Sequence, residues 1–179
     1  MTSIKNGLLI LGVLSIIACN NNPYPYTVRL LEKNVCSDSI RVFDINYYSA
    51  DSISMNYLLL IEDSVIVIYR KHLLKKGDEF YEFMKYSSIE DSEIELVDTI
   101  KIFGLTDTSF IYAADNNAAV AFGLNKHKYT IKQIDKNLFR AERTILSDLA
   151  VWRYTYYYDS NYRIKKIETE VGNSIRIFE

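Results

Sequence analysis

Proline and glycine are scarce, two and six among 179 residues. Both prolines lie at positions 23 and 25, so nothing after residue 26 carries that strong structural interruption. Turns beyond that point must be built mostly from Asn, Asp, Ser and Lys. Two cysteines, Cys19 and Cys36, cannot make a disulfide framework. The two histidines, His72 and His127, lie in different segments, each beside lysine and with no Cys or His at ligand spacing. A metal site of the zinc type is therefore not encoded, and both are expected at the surface. Gly-rich phosphate loops and a Gly-x-Ser-x-Gly elbow are absent, so no catalytic motif is found and an enzyme is not expected. Neither sign of charge dominates: 21 Lys and Arg are interspersed with 23 Asp and Glu, for a net charge of −2. Without a basic patch, nucleic acid is excluded as an expected partner.

What is present favours strands. There are 15 Tyr and 8 Phe, and apolar residues make up 49% of the chain, which rules out disorder. Residues 26–33 and 40–48 read as the first two strands. Hairpin-like units follow at 55–69 across Glu62-Asp63, at 109–124 across 115–117, and at 151–171 across 159–161. Both arms of the first two units are apolar at nearly every position, which predicts strands covered on both faces. Further strands are predicted at 79–86, 93–103, 128–134, 139–145 and 175–178. No helical period is sustained after residue 22. Closely spaced strands with polar turns imply an all-β chain, a single antiparallel domain of meander, barrel or sandwich type.

The third hairpin fixes a register by chemistry. A two-residue Ser160-Asn161 loop sets Trp152 opposite Thr169, Tyr154 opposite Ile167 and Arg153 opposite Glu168. Opposite charges then meet on one face and aromatics line the other. The ladder Trp152, Tyr154, Tyr156 and Tyr158 has two readings. It packs inward against the rest of the sheet, or it forms a candidate partner-binding face, because Tyr and Trp are enriched in interfaces. Lys165 and Arg163, opposite the outer tyrosines, are expected to make cation–π contacts there.

The chain begins Met-Thr-Ser-Ile-Lys, continues with an apolar run over residues 7–18, and reaches Cys19 followed by three asparagines. The run is about a dozen residues, short of the roughly 20 that span a bilayer. It has the n-region, h-region and small-residue order of a secretory signal. Ile16-Ile17-Ala18-Cys19 resembles the lipobox of bacterial lipoproteins. That resemblance implies cleavage between Ala18 and Cys19 and a covalent diacylglycerol and acyl lipid on Cys19, with no other cofactor and no metal. With Cys19 acylated, Cys36 is the one thiol left, either a buried unpaired residue or the site of a disulfide to another chain. Asn20, rather than Asp, after the cysteine implies the outer membrane, facing the periplasm.

The expected organisation is a signal peptide at 1–18, a short lipid-anchored linker at 19–26 and an antiparallel β domain at 27–179. A linker of six or seven extended residues reaches only roughly 20 Å, so the domain stays against the membrane surface. The expected role is an anchored envelope lipoprotein whose β domain binds a protein partner, in assembly, secretion or immunity. The alternative is a periplasmic binder of a lipid or other hydrophobic ligand, a lipocalin-like or carrier-like role, although no Gly-x-Trp lipocalin signature is found.

Overall fold

The computed structural model of the chain describes residues 23–33, 39–86, 96–113, 126–146 and 151–179. Residues 1–22, Cys36 and the expected strand arm at 118–124 lie outside these. The described residues are all-β: two antiparallel sheets of six strands each, arranged as a sandwich. The first sheet holds β1 (Tyr26–Leu31), β2 (Ser39–Ser49), β3 (Ser52–Ile61), β4 (Ser64–Lys76), β5 (Glu79–Tyr86) and β6 (Leu96–Phe103). The second holds β7 (Thr108–Ala113), β8 (Lys126–Asp135), β9 (Leu138–Leu146), β10 (Val151–Tyr158), β11 (Ile164–Val171) and β12 (Ser174–Phe178). Each sheet is a plain meander in chain order.

Local chemistry explains the connections. Three two-residue turns place their first residue in the left-handed region: Glu62 at φ 49°, Gly77 at φ 64° and Gly172 at φ 58°. Glycine adopts that conformation without steric cost at 77 and 172. The strands alternate inward and outward, and the inward residues of both sheets form one core. That core includes Phe43, Ile45, Met55, Leu73, Phe80, Ile100 and Phe103 from the first sheet, with Ile131, Tyr156, Tyr158, Ile167 and Phe178 from the second.

The two sheets are joined along one edge. Leu31 and Glu179 exchange backbone hydrogen bonds at 3.1 Å each, and the Lys33 N–H donates to the Ile177 carbonyl at 2.8 Å. Glu32 and Phe178 thus form a bridge between β1 and β12. Glu32 accepts Arg41 from the first sheet and Arg176 from the second, each at 3.3 Å.

The far arm of the expected 109–124 hairpin lies outside the described residues; among them β7 pairs with β8, from Thr108 opposite Ile131 to Ala113 opposite Lys126. One pairing differs from the sequence reading. In the β10–β11 hairpin the register is slipped by two residues: Trp152 lies opposite Val171, Tyr154 opposite Thr169 and Arg153 opposite Glu170. The parity is the expected one, so the same side chains share a face, but the loop is longer than two residues. It runs over residues 159–163 because Tyr162 leaves the ladder and enters the core, with φ 60°. Its ring stacks on Tyr158 at 5.8 Å and meets Phe80 edge-on at 4.9 Å. Asp159 closes the loop by accepting the N–H groups of Asn161 at 2.9 Å and Arg163 at 3.0 Å.

Tyrosine hydroxyls tie the sheets at this end. The Tyr158 hydroxyl donates to the Gly104 carbonyl at 2.7 Å and accepts the Gly104 N–H at 3.3 Å. The Tyr47 hydroxyl accepts the Ile164 N–H at 2.7 Å and donates to the Tyr162 carbonyl at 3.3 Å. The Tyr162 hydroxyl donates to the Asp78 carbonyl. Tyr156 is equally buried, yet its hydroxyl has no partner. A paired substitution separates packing from hydrogen bonding. Tyr158→Phe orphans two buried backbone groups and is expected to lower unfolding free energy by about 1–3 kcal/mol, while Tyr156→Phe stays within roughly 0.5 kcal/mol or stabilises. Denaturant unfolding of the two variants checks this, and equal losses would refute it.

Candidate functional site

Three features stand out from the packed sandwich: an apolar hairpin, a buried charged cluster and the aromatic ladder. The hairpin is β3–β4. Its arms are runs of Leu, Ile and Val, and the Glu62-Asp63 turn closes them with Ile61 opposite Ser64. The sequence predicts cover on both faces of these arms. The structure differs at the tip: Val65, Ile66, Val67 and Ile68 are 62%, 49%, 50% and 46% exposed. Successive residues point to opposite faces, so apolar surface is bare on both. The reason is the length of β4. It runs 13 residues but pairs with β5 only from Leu73 opposite Glu82 to Lys76 opposite Glu79. Among the described residues, no strand pairs with the outer edge of β4 over residues 64–72. The hairpin therefore projects beyond the neighbour that covers its base.

The chain enters the sheet at the other end. Tyr26 lies opposite Tyr47 and stacks on it at 4.6 Å, and Tyr24 packs on Tyr26 at 5.5 Å. Tyr47 lies opposite Ile53, eight residues along β3 from Ile61. At about 3.3 Å per residue, the turn is roughly 26 Å from the entry point.

The charged cluster lies between the sheets. Lys71 of β4 and Glu82 of β5 are both buried and pair at 3.2 Å. Arg143 of β9 reaches Glu82 at 3.6 Å and the His127 Nδ1 at 3.0 Å. The Lys71 ammonium lies 5.7 Å from the centre of the Tyr154 ring and 5.8 Å from that of Tyr69. Burial pushes Lys71 down to about 8, against the opposing pull of Glu82. Burial likewise raises the Tyr69 and Tyr156 hydroxyls. The hydroxyls of Tyr69, Tyr112 and Tyr156 and the Arg143 Nε are buried without hydrogen-bond partners among the described residues. His127 is thus an interior residue, contrary to the surface expectation, because its strand position shares the inward parity of Tyr129 and Ile131. His72, one residue after Lys71, points outward and is exposed.

The ladder divides along its length. Tyr156 and Tyr158 are fully buried, packed edge-on or tilted against Phe103 at 5.4 and 4.8 Å. Neither presents surface to a partner while the sandwich is closed. Tyr154 is half-buried over Tyr69, and Trp152, 37% exposed, is the one rung at the solvent. The inward-packing alternative holds for the lower rungs because β10 lies at the middle of its sheet. The expected contacts of Lys165 and Arg163 with the outer tyrosines are replaced by Lys71 over Tyr154 and by Lys165 paired to Asp159 at 3.2 Å.

Among the described residues, no three His, Cys, Asp or Glu side chains gather to hold a metal ion. Cys19 and Ala18 lie outside the described residues. A groove of about 480 Å³ lies between β1 and β11, lined by Pro23, Tyr26, Val28, Leu30, Arg163, Ile164 and Lys165. The hairpin edge was hidden from sequence reasoning because an apolar run reads alike whether it is covered or bare.

The cluster makes stability depend on pH in a stated direction. In the unfolded chain Lys71 keeps its proton to about 10.5, and in the fold it loses it near 8. The unfolded state binds more protons in between, so stability rises from pH 8 towards 10. Above pH 10 the buried tyrosines reverse the sign, because the fold retains protons that the unfolded chain releases. The urea midpoint should pass through a maximum near pH 10, and Lys71→Met should remove the rise while leaving the later fall. A rise unchanged in Lys71→Met would refute the assignment. No family model matches the chain, and neither the curated proteins nor the solved structures contain a match to it.

Proposed function

We propose that this protein is a lipid-anchored lipoprotein of the bacterial outer membrane, facing the periplasm, whose β sandwich binds a protein partner through the tip of the β3–β4 hairpin. The observation that carries the reading is the bare apolar edge over residues 64–68. Single exposed apolar residues are ordinary, but a contiguous patch on an unpaired strand edge is what natural sheets avoid unless something covers it. The lipobox-like Ile16-Ile17-Ala18-Cys19 supports the anchor. Two or three acyl chains hold a protein stably at a membrane, where one does not.

Magnitudes point to an association that needs the membrane. Four half-exposed aliphatic side chains contribute about 1 kcal/mol each on being covered, or about 4 kcal/mol together. That is near the lower end of the cost of immobilising two proteins, roughly 4–15 kcal/mol. Strand-edge hydrogen bonds add to it, and confinement to one membrane surface raises the effective concentration. The anchor is thus part of the binding mechanism rather than only an address.

The groove beside Pro23 favours the second reading, a hydrophobic ligand. Its volume falls within the usual range for small-molecule sites, and its lining is apolar with Arg163 and Lys165 at hand.

Photo-cross-linking from position 65 in native membranes tests the first reading. The full chain should give a discrete adduct. Cys19→Ala should leave the membrane fraction and lose the adduct. Adding Val67→Lys to the cross-linking chain should abolish the adduct without affecting anchoring. An adduct indifferent to Val67→Lys, with lipid bound in a Leu30- and Ile164-dependent manner, would overturn this reading in favour of the second.

A further inference from the structure

We propose that the occupant of the β4 edge is a second copy of this chain, paired antiparallel through residues 64–68 with Ile66 on the twofold axis. The inference rests on the reading of the hairpin tip as a protein-binding surface and names the partner.

The backbone sets the register. A two-residue turn makes Ile61 and Ser64 a hydrogen-bonded pair, and pairs alternate along an antiparallel ladder. Leu59 and Ile66 are then also hydrogen-bonded, while Leu60 with Val65 and Leu58 with Val67 are not. The N–H and C=O groups of Val65 and Val67 therefore point away from β3, towards the unpaired side. An added antiparallel strand must bond at these two residues. A copy of the same edge satisfies them when Val65 of each chain faces Val67 of the other. That arrangement puts Ile66 opposite Ile66 at the symmetry axis and is the isologous contact of a closed dimer.

Side chains agree with the backbone. The apolar surface on both faces of one edge meets the same on the other. Charge selects the direction. A parallel in-register copy sets Glu62 beside Glu62 and Arg70 beside Arg70. The antiparallel copy sets Glu62 of each chain near Arg70 of the other, and both residues are exposed. Arg70 donates its Nε–H to Asn56 at 2.8 Å, leaving its terminal nitrogens for that contact. The β-bulge between Tyr57 and Leu58, where Ile68 is the extra residue, closes the regular stretch at the right length for so short a pairing. Edge strands are commonly protected by Lys or Pro; the run Ser-Val-Ile-Val-Ile-Tyr at 64–69 has neither.

Disulfide mapping in native membranes tests both partner and register, using the full chain with Cys36→Ser. Under mild oxidation Ile66→Cys should form a dimer on a non-reducing gel. Val65→Cys alone should not, and Val65→Cys combined with Val67→Cys should. Ile111→Cys, 67% exposed on β7, is the collision control, and Ile66→Cys should exceed it by at least about tenfold, the effect of effective concentration. Equal dimer from Ile66→Cys and Ile111→Cys would overturn the proposal, as would equal dimer from Ile66→Cys and Val65→Cys. If no Ile66→Cys dimer forms while the adduct from position 65 is a different polypeptide still lost in Val67→Lys, the second copy is refuted and the hairpin reading stands.

Discussion

The sandwich depends on backbone groups at one end being satisfied by tyrosine hydroxyls from the opposite sheet. A strand-to-strand crossover exposes N–H and C=O groups that no ladder uses, and burying them unpaired costs about 1–3 kcal/mol each. Gly104, where the chain leaves β6 for β7, is buried and receives the Tyr158 hydroxyl on both its N–H and its carbonyl. Tyr47 does the same for the loop before β11. Tyrosine suits this role because its ring fills core volume while its tip reaches a polar group. With few glycines and almost no proline to make tight closures, the chain turns between sheets on aromatic posts.

The opposite half of the interior is organised differently. There the inward positions hold Lys71, Glu82, Arg143 and His127, with three tyrosine hydroxyls left unpaired. A buried ion pair gives little net stability compared with a hydrophobic replacement, because desolvation offsets the attraction. Its effect is on alignment. Lys71 and Glu82 sit where β4 and β5 separate, and Arg143 joins them from the other sheet, so the cluster fixes the point at which the hairpin leaves the sandwich.

Much of the fold was legible in the sequence, and the reasons are local. Asp and Asn turns, β-branched runs and absent helical periodicity located most strands, and strand parity put Trp152, Tyr154, Tyr156 and Tyr158 on one face. What stayed hidden depended on long-range geometry. Tyr162 reads as a strand residue because nothing local marks a ring that leaves the ladder for the core. The slip of Arg153 from Glu168 to Glu170 follows from that departure, since both partners offer the same charge. His127 looks like a surface residue because its lysine neighbours give no sign of which parity faces inward.

Strand edges decide what such a fold can do. Among the described residues, a twelve-strand meander split into two sheets creates four edges. Two of these, β1 and β12, meet at one end, where residues 31–33 bond to residues 177–179. The other two, β6 and β7, are consecutive in the chain and share the crossover at Gly104. An additional edge then arises inside a sheet, where β4 outruns β5. That edge cannot be removed by closing the sandwich, because the Lys71–Glu82–Arg143 cluster lies at the split and favours a polar boundary over continued pairing. Shortening the hairpin would remove it, yet the sequence instead extends β4 with four consecutive aliphatic residues. Among the described residues no strand pairs with the outer edge of that extension, and its four aliphatic side chains are left about half exposed. Natural sheets usually cover or charge such an edge, and this one carries neither Lys nor Pro over residues 64–69.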